Sequence, residues 1–305
     1  MNPTTEPPSF TIVIPCFNDG DVLARAAGSV LAQTHPSWHL VIVDDGSTDD
    51  SAQVAAELVK NGAGRVRYVH QPNAGVSAAR NRGISLADTS HVVCIDADDE
   101  LLPHALATFD AALRNHPTPW IIGAYELVRG SRHKVRRPSL PATRVSRFTR
   151  FLEKKFFVGN ISNMCIETRL LASVGFDTRL RVSEDIAVFS ILFAICDPVA
   201  IGETVTRTHR RVESLRTRSS YQELKSTEVV DVIFNHPLLP QALLKYRYVY
   251  EARLARSLAR HAYEVGAYED VVKWTDLAVH AKPLDFRNLK LLARRWFAAR
   301  KRPAP

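Results

Sequence analysis

Cysteine is scarce in this chain. Its four residues, Cys16, Cys94, Cys165 and Cys196, are widely spaced, each within or beside an apolar stretch, with neither a CxxC pair nor metal-ligand spacing. They read as reduced core residues. Long apolar runs are also missing: none approaches the ~20 residues that would cross a bilayer. The opening MNPTTEPPSF has neither a basic start nor an apolar core, so it does not read as a targeting segment and a cytoplasmic protein is expected. The first turn, Pro15 to Asp21, lacks the GxGxxG of a dinucleotide site, which counts against a dehydrogenase.

What is present suits a packed fold. With 305 residues, 46% hydrophobic and 24% charged, the chain is neither disordered nor fibrous and suits one large domain or two ordinary ones. A net charge of +8 and a pI near 9.5 call for an anionic partner: a nucleotide, a phospholipid surface or an acidic glycan. Nucleic acid is not an expected partner, and oligomerisation is left open.

From Phe10 to Gly123, short β-rich runs alternate with helical patterns. FTIVIP is followed by a helix over Val22 to Gln33, HLVIVD by Ser51 to Lys60, VRYVH by Val76 to Ala87, and HVVCID by Leu101 to Asn115, before WIIGA. Strands apolar on both faces and joined by single helices predict a mostly parallel, Rossmann-like α/β sheet with helices on both faces. Ligands in such sheets bind beyond the carboxyl ends of the strands.

Acidic residues gather at those ends. Asp44-Asp45-Gly46-Ser47 follows HLVIV, where a carboxylate can accept from a base N–H or a ribose hydroxyl, or cap the next helix together with Asp49 and Asp50. Asp96-Ala97-Asp98-Asp99 ends HVVCI. Two carboxylates one residue apart at a strand end can reach one hard divalent cation bridging a diphosphate, although an acidic turn opening a helix would look similar. Arg80 and Arg82 open a helix near the same crevice, where guanidinium groups suit diphosphates. Glu184-Asp185 precedes the apolar helix IAVFSILFAI, as a helix-capping pair or as a general base.

Together these segments resemble the family-two group of inverting nucleotide-sugar glycosyltransferases with the GT-A fold. The matching residues are Val13 to Asn18, Ser29 to Thr34, Val43 to Asp49, Asn73 through Gly83, Asp96 to Asp99, and Gly175-Phe176-Asp177 leading to Glu184-Asp185, in order from about Phe10 to about Ser214. The resemblance implies that Pro15, Phe17 and Asp45 hold the base, with Asn18 in the same loop and Asp44 alongside, and that Arg80 lies near the nucleotide. It implies Asp96 at the ribose or metal, Asp98 on a Mn²⁺ or Mg²⁺, Asp185 as base and Glu184 in support. His209 falls at a less regular position where some relatives place a histidine near the metal; it is otherwise structural or acceptor-facing. Two departures stand out: Phe17 where tyrosine is frequent, and Ser183 where glycine is common.

The implied organisation is a flexible terminus over residues 1–9, a GT-A domain over 10–220 and a helical appendage over 221–305. Within the domain, 10–123 is the nucleotide-sugar half and 124–220 the acceptor-side half. The implied activity is transfer from a nucleotide diphosphate sugar, with a uridine nucleotide expected, to a glycan or lipid-linked acceptor in surface polysaccharide or glycoconjugate synthesis. A non-catalytic nucleotide-sugar binder or scaffold is the alternative, and a DxD phosphatase fits the order of the strands less well.

Two basic stretches remain. Between Arg129 and Lys155, ten arginines and lysines are answered only by Glu153, which suits a solvated connection or an acceptor-binding segment. Near the end, Phe286, Leu289, Leu292, Ala293 and Trp296 form one apolar face flanked by Lys290, Arg294, Arg295, Arg300, Lys301 and Arg302. Such a helix packs on its own domain or lies peripherally on the inner face of an anionic membrane.

Overall fold

The computed structural model describes residues 8–209 and 225–300. Most of the expected flexible terminus, the proposed boundary near residue 220, Ser214, Lys301 and Arg302 lie outside the described residues. The chain divides into two units, Met1–Leu140 with Phe157–Val212, and Pro141–Phe156 with Glu213–Pro305.

The first unit opens with the expected alternation: β1 (Phe10–Cys16), α1 (Gly20–Leu31), β2 (Trp38–Asp44), α2 (Ser51–Asn61), β3 (Val66–His70), α3 (Val76–Ser85) and β4 (His91–Cys94). Next come β5 (Glu100–Leu101), α4 (Ala105–Asn115), and the hairpin of β6 (Trp120–Arg129) and β7 (Arg132–Arg136). The α-helix expected from Leu101 starts only at Ala105, because Leu101 pairs with β9 (Val199–His209) instead and Pro103 favours the mouth of a helix over its interior.

Among the described residues the strands form one sheet ordered β3-β2-β1-β4-β8-β6-β9-β5, where β8 is Met164–Glu167 and β7 hangs on β6. Strand β1 pairs in parallel with both β2 and β4, and all seven of its residues are buried. That double-sided burial explains its run of apolar residues, interrupted only by Thr11, whose hydroxyl is bonded to that of Thr89. Past β4 the sheet turns mixed: β8 runs antiparallel to β4 and β6.

Two helices of this unit position later chemistry. After α6 (Thr168–Val174), α7 (Glu184–Ile195) is apolar on every side and buried from Ala187 to Ala194. Phe193 and Phe189 pack on Trp120 of β6, with ring centroids 4.7 and 6.1 Å apart. Because the body of the helix is enclosed, its acidic first turn is held in place. Helix α3 lies against β1 at Gly83, where a Cβ would come within 2.2 Å of Val13 Cγ1.

The second unit is helical: α5 (Arg144–Leu152), α8 (Glu228–Phe234), α9 (Gln241–Leu244), α10 (Arg247–Glu264), α11 (Tyr268–Ala281) and α12 (Leu289–Arg300). Of the ten basic residues in the Arg129–Lys155 run, four therefore lie on the β6–β7 hairpin and three in α5. Helix α5 opens on a capping box between Thr143 and Ser146 and buries Phe148 and Leu152. It packs with the C-terminal helices: Phe148 lies edge-on to Phe234, and Glu153 accepts from Lys282 Nζ at 2.9 Å. Lys155 and Lys282 hold the Glu153 carboxyl down at about 2 against the opposing effect of its burial. Within α12 the buried residues are Leu291 and Ala298. The apolar face read from the sequence is the exposed one: Phe286 is 78% and Trp296 58% accessible. Among the described residues no helix is long and apolar enough to cross a membrane.

Replacing Gly83 with alanine should force Val13 to move in a fully packed layer, at a cost of about 1–3 kcal/mol. A thermal melt of G83A should show a lower midpoint than wild type; an unchanged midpoint would mean that α3 can lift from β1 freely.

Candidate active site

The carboxyl ends of β1, β2 and β4 lie side by side, because these strands are parallel neighbours. Chain turns at those ends carry most of the residues singled out from the sequence. Pro15 is buried near the end of β1, and Phe17, just past it, is 47% exposed. Asn18 sits at φ +52, a left-handed conformation that asparagine tolerates. Its Oδ1 accepts from Thr48 N at 2.7 Å and its own N–H donates to Ser47 Oγ at 2.9 Å. The loops after β1 and β2 are thereby stitched together, leaving the Phe17 ring presented to solvent.

Asp44 and Asp45 are buried, and their hydrogen-bonding capacity is largely spent within the protein. Asp44 accepts from Tyr68 Oη at 2.7 Å and Ser47 N at 2.8 Å. Burial and this carboxylate raise the Tyr68 hydroxyl above its usual range. Asp45 accepts from Gln71 Nε2 (2.8 Å), Ala74 N (2.9 Å) and Gly75 N (2.7 Å). It therefore shapes the loop that enters α3, where Gly75 takes φ +91. The helix-capping alternative falls to Asp49, which accepts from the Ser51 and Gly20 N–H groups, each at 3.0 Å.

Arg80 occupies the centre. Only 4% exposed, its guanidinium donates from Nη2 to Asp96 Oδ1 at 2.8 Å and from Nη1 to Glu184 Oε1 at 2.9 Å. Burial alone would lower its pKa, but Asp96 and Glu184 outweigh that and hold it above its ordinary value. The ring of Phe176 lies 5.2 Å from the guanidinium carbon, and Asn81 fixes Phe176 by bonding both its N–H and its C=O. The sequence reading put Arg80 near the nucleotide; here it ties the end of β4 to the start of α7.

At that start Ser183 sits at φ +69, the left-handed region that glycine enters without steric cost, which accounts for glycine being common there. Asp185, the next residue but one, accepts from Ile186 N at 2.7 Å. Burial, followed by the adjacent Glu184 charge, pushes its carboxyl up to about 6, with Arg80 opposing.

The acidic turn after β4 offers hard oxygen donors. Asp96 gives one oxygen to Arg80, Asp98 is half-buried and its backbone carbonyl accepts from Arg25 Nη2 at 2.8 Å, and Asp99 is buried beneath them. Asp99 accepts from Asn160 Nδ2 at 2.8 Å and His209 N at 3.3 Å. Burial, and then the charges of Asp96 and Asp98, push its carboxyl up to about 8. So concentrated a negative field suits a divalent cation. Among the described residues no three acidic, histidine or cysteine side chains converge as a ready-made cage; Asp96 and Asp98 are the carboxylates of this turn that could reach a cation. His209 stands at the edge of this turn, its Nε2 2.5 Å from Glu100 Oε1.

Several polar residues around this turn escaped the sequence reading. Asn160, Ser162 and Thr208 all reach it, Ser162 Oγ accepting from Asp96 N at 3.1 Å. They come from segments more than sixty residues away, and no local pattern marks them.

Comparison with known proteins bears on the family and the fold. The family model described as glycosyl transferase family 2 matches residues 11–175. The chain is 30% identical over 240 residues to the succinoglycan biosynthesis protein ExoU of Rhizobium meliloti (strain 1021), covering 69% of this chain and 67% of that one. Alignments with the first curated glycosyltransferases span only 16% to 42% of those proteins' length. In fold the chain resembles S. aureus TarS 1-349 in complex with UDP-GlcNAc, with a TM-score of 0.68 at 16% identity over 96% of this chain and 89% of that one. It also resembles the mannosyltransferase PcManGT from Pyrobaculum calidifontis in complex with GDP-Man and Mn²⁺, with a TM-score of 0.56 at 16% identity over 98% and 82%.

Truncating Arg80 to alanine should leave two carboxylates facing each other without their shared cation, at a cost of about 3–5 kcal/mol. Chemical denaturation of R80A at neutral pH should register that loss; wild-type stability would show that the bridge contributes nothing.

Proposed function

We infer that this chain, which belongs to glycosyl transferase family 2, transfers a sugar from a nucleoside diphosphate donor to a hydroxyl of a glycan or lipid-linked acceptor, inverting the anomeric centre. Assembly of a surface polysaccharide is the setting that ExoU's name supports. The observation that carries the mechanism is the Arg80 bridge: one guanidinium places the acidic end of β4 and the acidic start of α7 within 2.9 Å of itself.

On this reading the exposed ring of Phe17 stacks on the base, and the loops organised by Asn18, Asp44 and Asp45 receive the nucleoside. Asp98 and Asp96 would hold the Mn²⁺ or Mg²⁺, which supplies positive charge to the departing diphosphate. Asp185 takes the proton of the acceptor hydroxyl. The oxygen then attacks the anomeric carbon from the side opposite the diphosphate, and the bond from carbon to the phosphate oxygen breaks. Glu184 keeps Arg80 in place, and through it the base remains close to the donor. A uridine nucleotide is the donor favoured here, and the GDP-Man bound by PcManGT makes guanosine the comparison to run alongside it.

A carboxyl raised to about 6 is ionised at neutral pH and becomes protonated below. Only the ionised form accepts a proton, so kcat/KM should rise to a plateau above pH 6 and fall about tenfold per unit below it. D185N should lose this acid limb together with ~10²–10⁴-fold in rate while still binding uridine diphosphate by calorimetry, whereas D98N should lose the metal-dependent part of that binding. Normal turnover by D185N would refute Asp185 as the base, and no nucleotide binding by wild type would favour a non-catalytic scaffold.

In the second unit, the exposed Phe286, Leu289, Leu292 and Trp296 beside Lys290, Arg294 and Arg300 support peripheral contact with an anionic bilayer. The full chain should sediment with phosphatidylglycerol vesicles and not with phosphatidylcholine vesicles, and W296E should release it; equal sedimentation with both lipids would count against the contact.

A further inference from the structure

A cleft of about 460 Å³ in the first unit is lined by Tyr125, Arg129, Arg136, Phe157, Asn160 and Thr208, among others. We propose that it receives the acceptor through a negatively charged group, a phosphate or carboxylate borne on the glycan. The proposal rests on the transfer reading above and adds the chemical class of the acceptor.

Strand register builds the cleft's charge. Tyr125, Leu127 and Arg129 alternate onto one face of β6, and Arg136 of β7 stands directly across from Tyr125 on that face. The intervening Glu126 points to the other face, where it accepts from Arg207 Nε at 2.7 Å and lies 3.1 Å from His133 Nδ1. The carboxylate nearest in sequence is thus spent on the opposite side. Among the described residues no acidic side chain pairs with Arg129 or Arg136 in any ion pair. Two guanidinium groups without counter-ions, sharing one concavity, match the oxygens of a phosphate or carboxylate.

The remainder of the lining suits a sugar ring. Phe157 is 64% exposed and is propped edge-on by Tyr125 at 6.1 Å. It offers an aromatic platform to the C–H face of a ring, beside the polar side chains of Asn160 and Thr208. Those two also tie the cleft to the donor end: Asn160 Nδ2 and Thr208 Oγ1 both donate to Asp99 Oδ2, at 2.8 and 3.4 Å, and Asp99 adjoins Asp98. A glycan held by its anion on Arg129 and Arg136 would lie alongside the acidic turn assigned to the donor.

The test titrates the full chain, without donor, with glucose 6-phosphate, methyl glucuronoside and methyl glucoside, and separately with uridine diphosphate plus Mn²⁺. One or both anionic sugars should bind at least about tenfold more tightly than the neutral one, and whichever binds identifies phosphate or carboxylate as the group. The double variant R129Q/R136Q should lose that preference while keeping the wild-type melting temperature and uridine diphosphate affinity. Equal binding of all three sugars, or anion binding that survives the double substitution, would overturn the proposal. Weakened uridine diphosphate binding in the variant would overturn it too, since the arginines would then serve the donor. Because the sugar titrations contain no nucleotide, failure of the donor reading shows up separately, as absent uridine diphosphate binding by wild type.

Discussion

A guanidinium taken out of water costs several kcal/mol unless its charge and its N–H groups are matched. The charge of Arg80 and its two terminal nitrogens are matched by carboxylates that come from opposite ends of the site, Asp96 at the end of β4 and Glu184 at the start of α7, while its Nε–H has no partner among the described residues. Each is over-supplied with negative charge without the cation: Asp96 has Asp98 and Asp99 beside it, and Glu184 has Asp185. The same ion therefore tolerates two acidic clusters at close quarters and sets the distance between them. A lysine could carry the charge but lacks the fork that reaches both partners at once.

The bridge works because both of its ends are immobile. Strand β4 is held in the sheet between β1 and β8, and α7 is enclosed along its length with Trp120 against Phe189 and Phe193. Packing that allows no sliding makes a strained residue affordable, and Ser183 in its left-handed conformation is where the strain is kept. Burial around Asp185 follows from the same enclosure, and that burial is the leading cause of its raised pKa. Stability and acid–base tuning thus share one origin in this corner of the molecule.

Much of this was legible in the sequence because it is local. Runs such as FTIVIP and HVVCI announce strands buried on both faces, and acidic residues that follow such runs are delivered to the carboxyl edge of the sheet. Legibility ended where two distant segments meet. Arg80 was readable as a cation near the crevice, but its burial depends on Glu184, 104 residues away, and no pattern around position 80 reports that. The α12 face failed for a related reason: Phe286, Leu289, Leu292 and Trp296 are spaced as a core stripe, yet Leu291 and Ala298 took the buried places against α10 and α11. Amphipathic spacing says that a face exists, not which surface covers it. Likewise Pro141–Phe156 reads as part of a basic connection until Phe148, Leu152 and Glu153 find the C-terminal helices.

The change from parallel to mixed pairing past β4 has a chemical consequence. Parallel strands joined by helices send every carboxyl end to the same edge, which collects acidic turns well suited to a metal and a diphosphate. A hairpin such as β6–β7 has no such edge; its chemistry lies on its faces, alternating residue by residue. Glu126, Arg207 and His133 share one face and neutralise each other, while Tyr125, Arg129 and Arg136 share the other and do not. Shifting β7 by one residue against β6 would put Val135 across from Tyr125 and carry Arg136 to the other face. The charge of the cleft is therefore set by pairing register rather than by composition, and a basic stretch that looks unpatterned in the sequence becomes one-sided only once the hairpin closes.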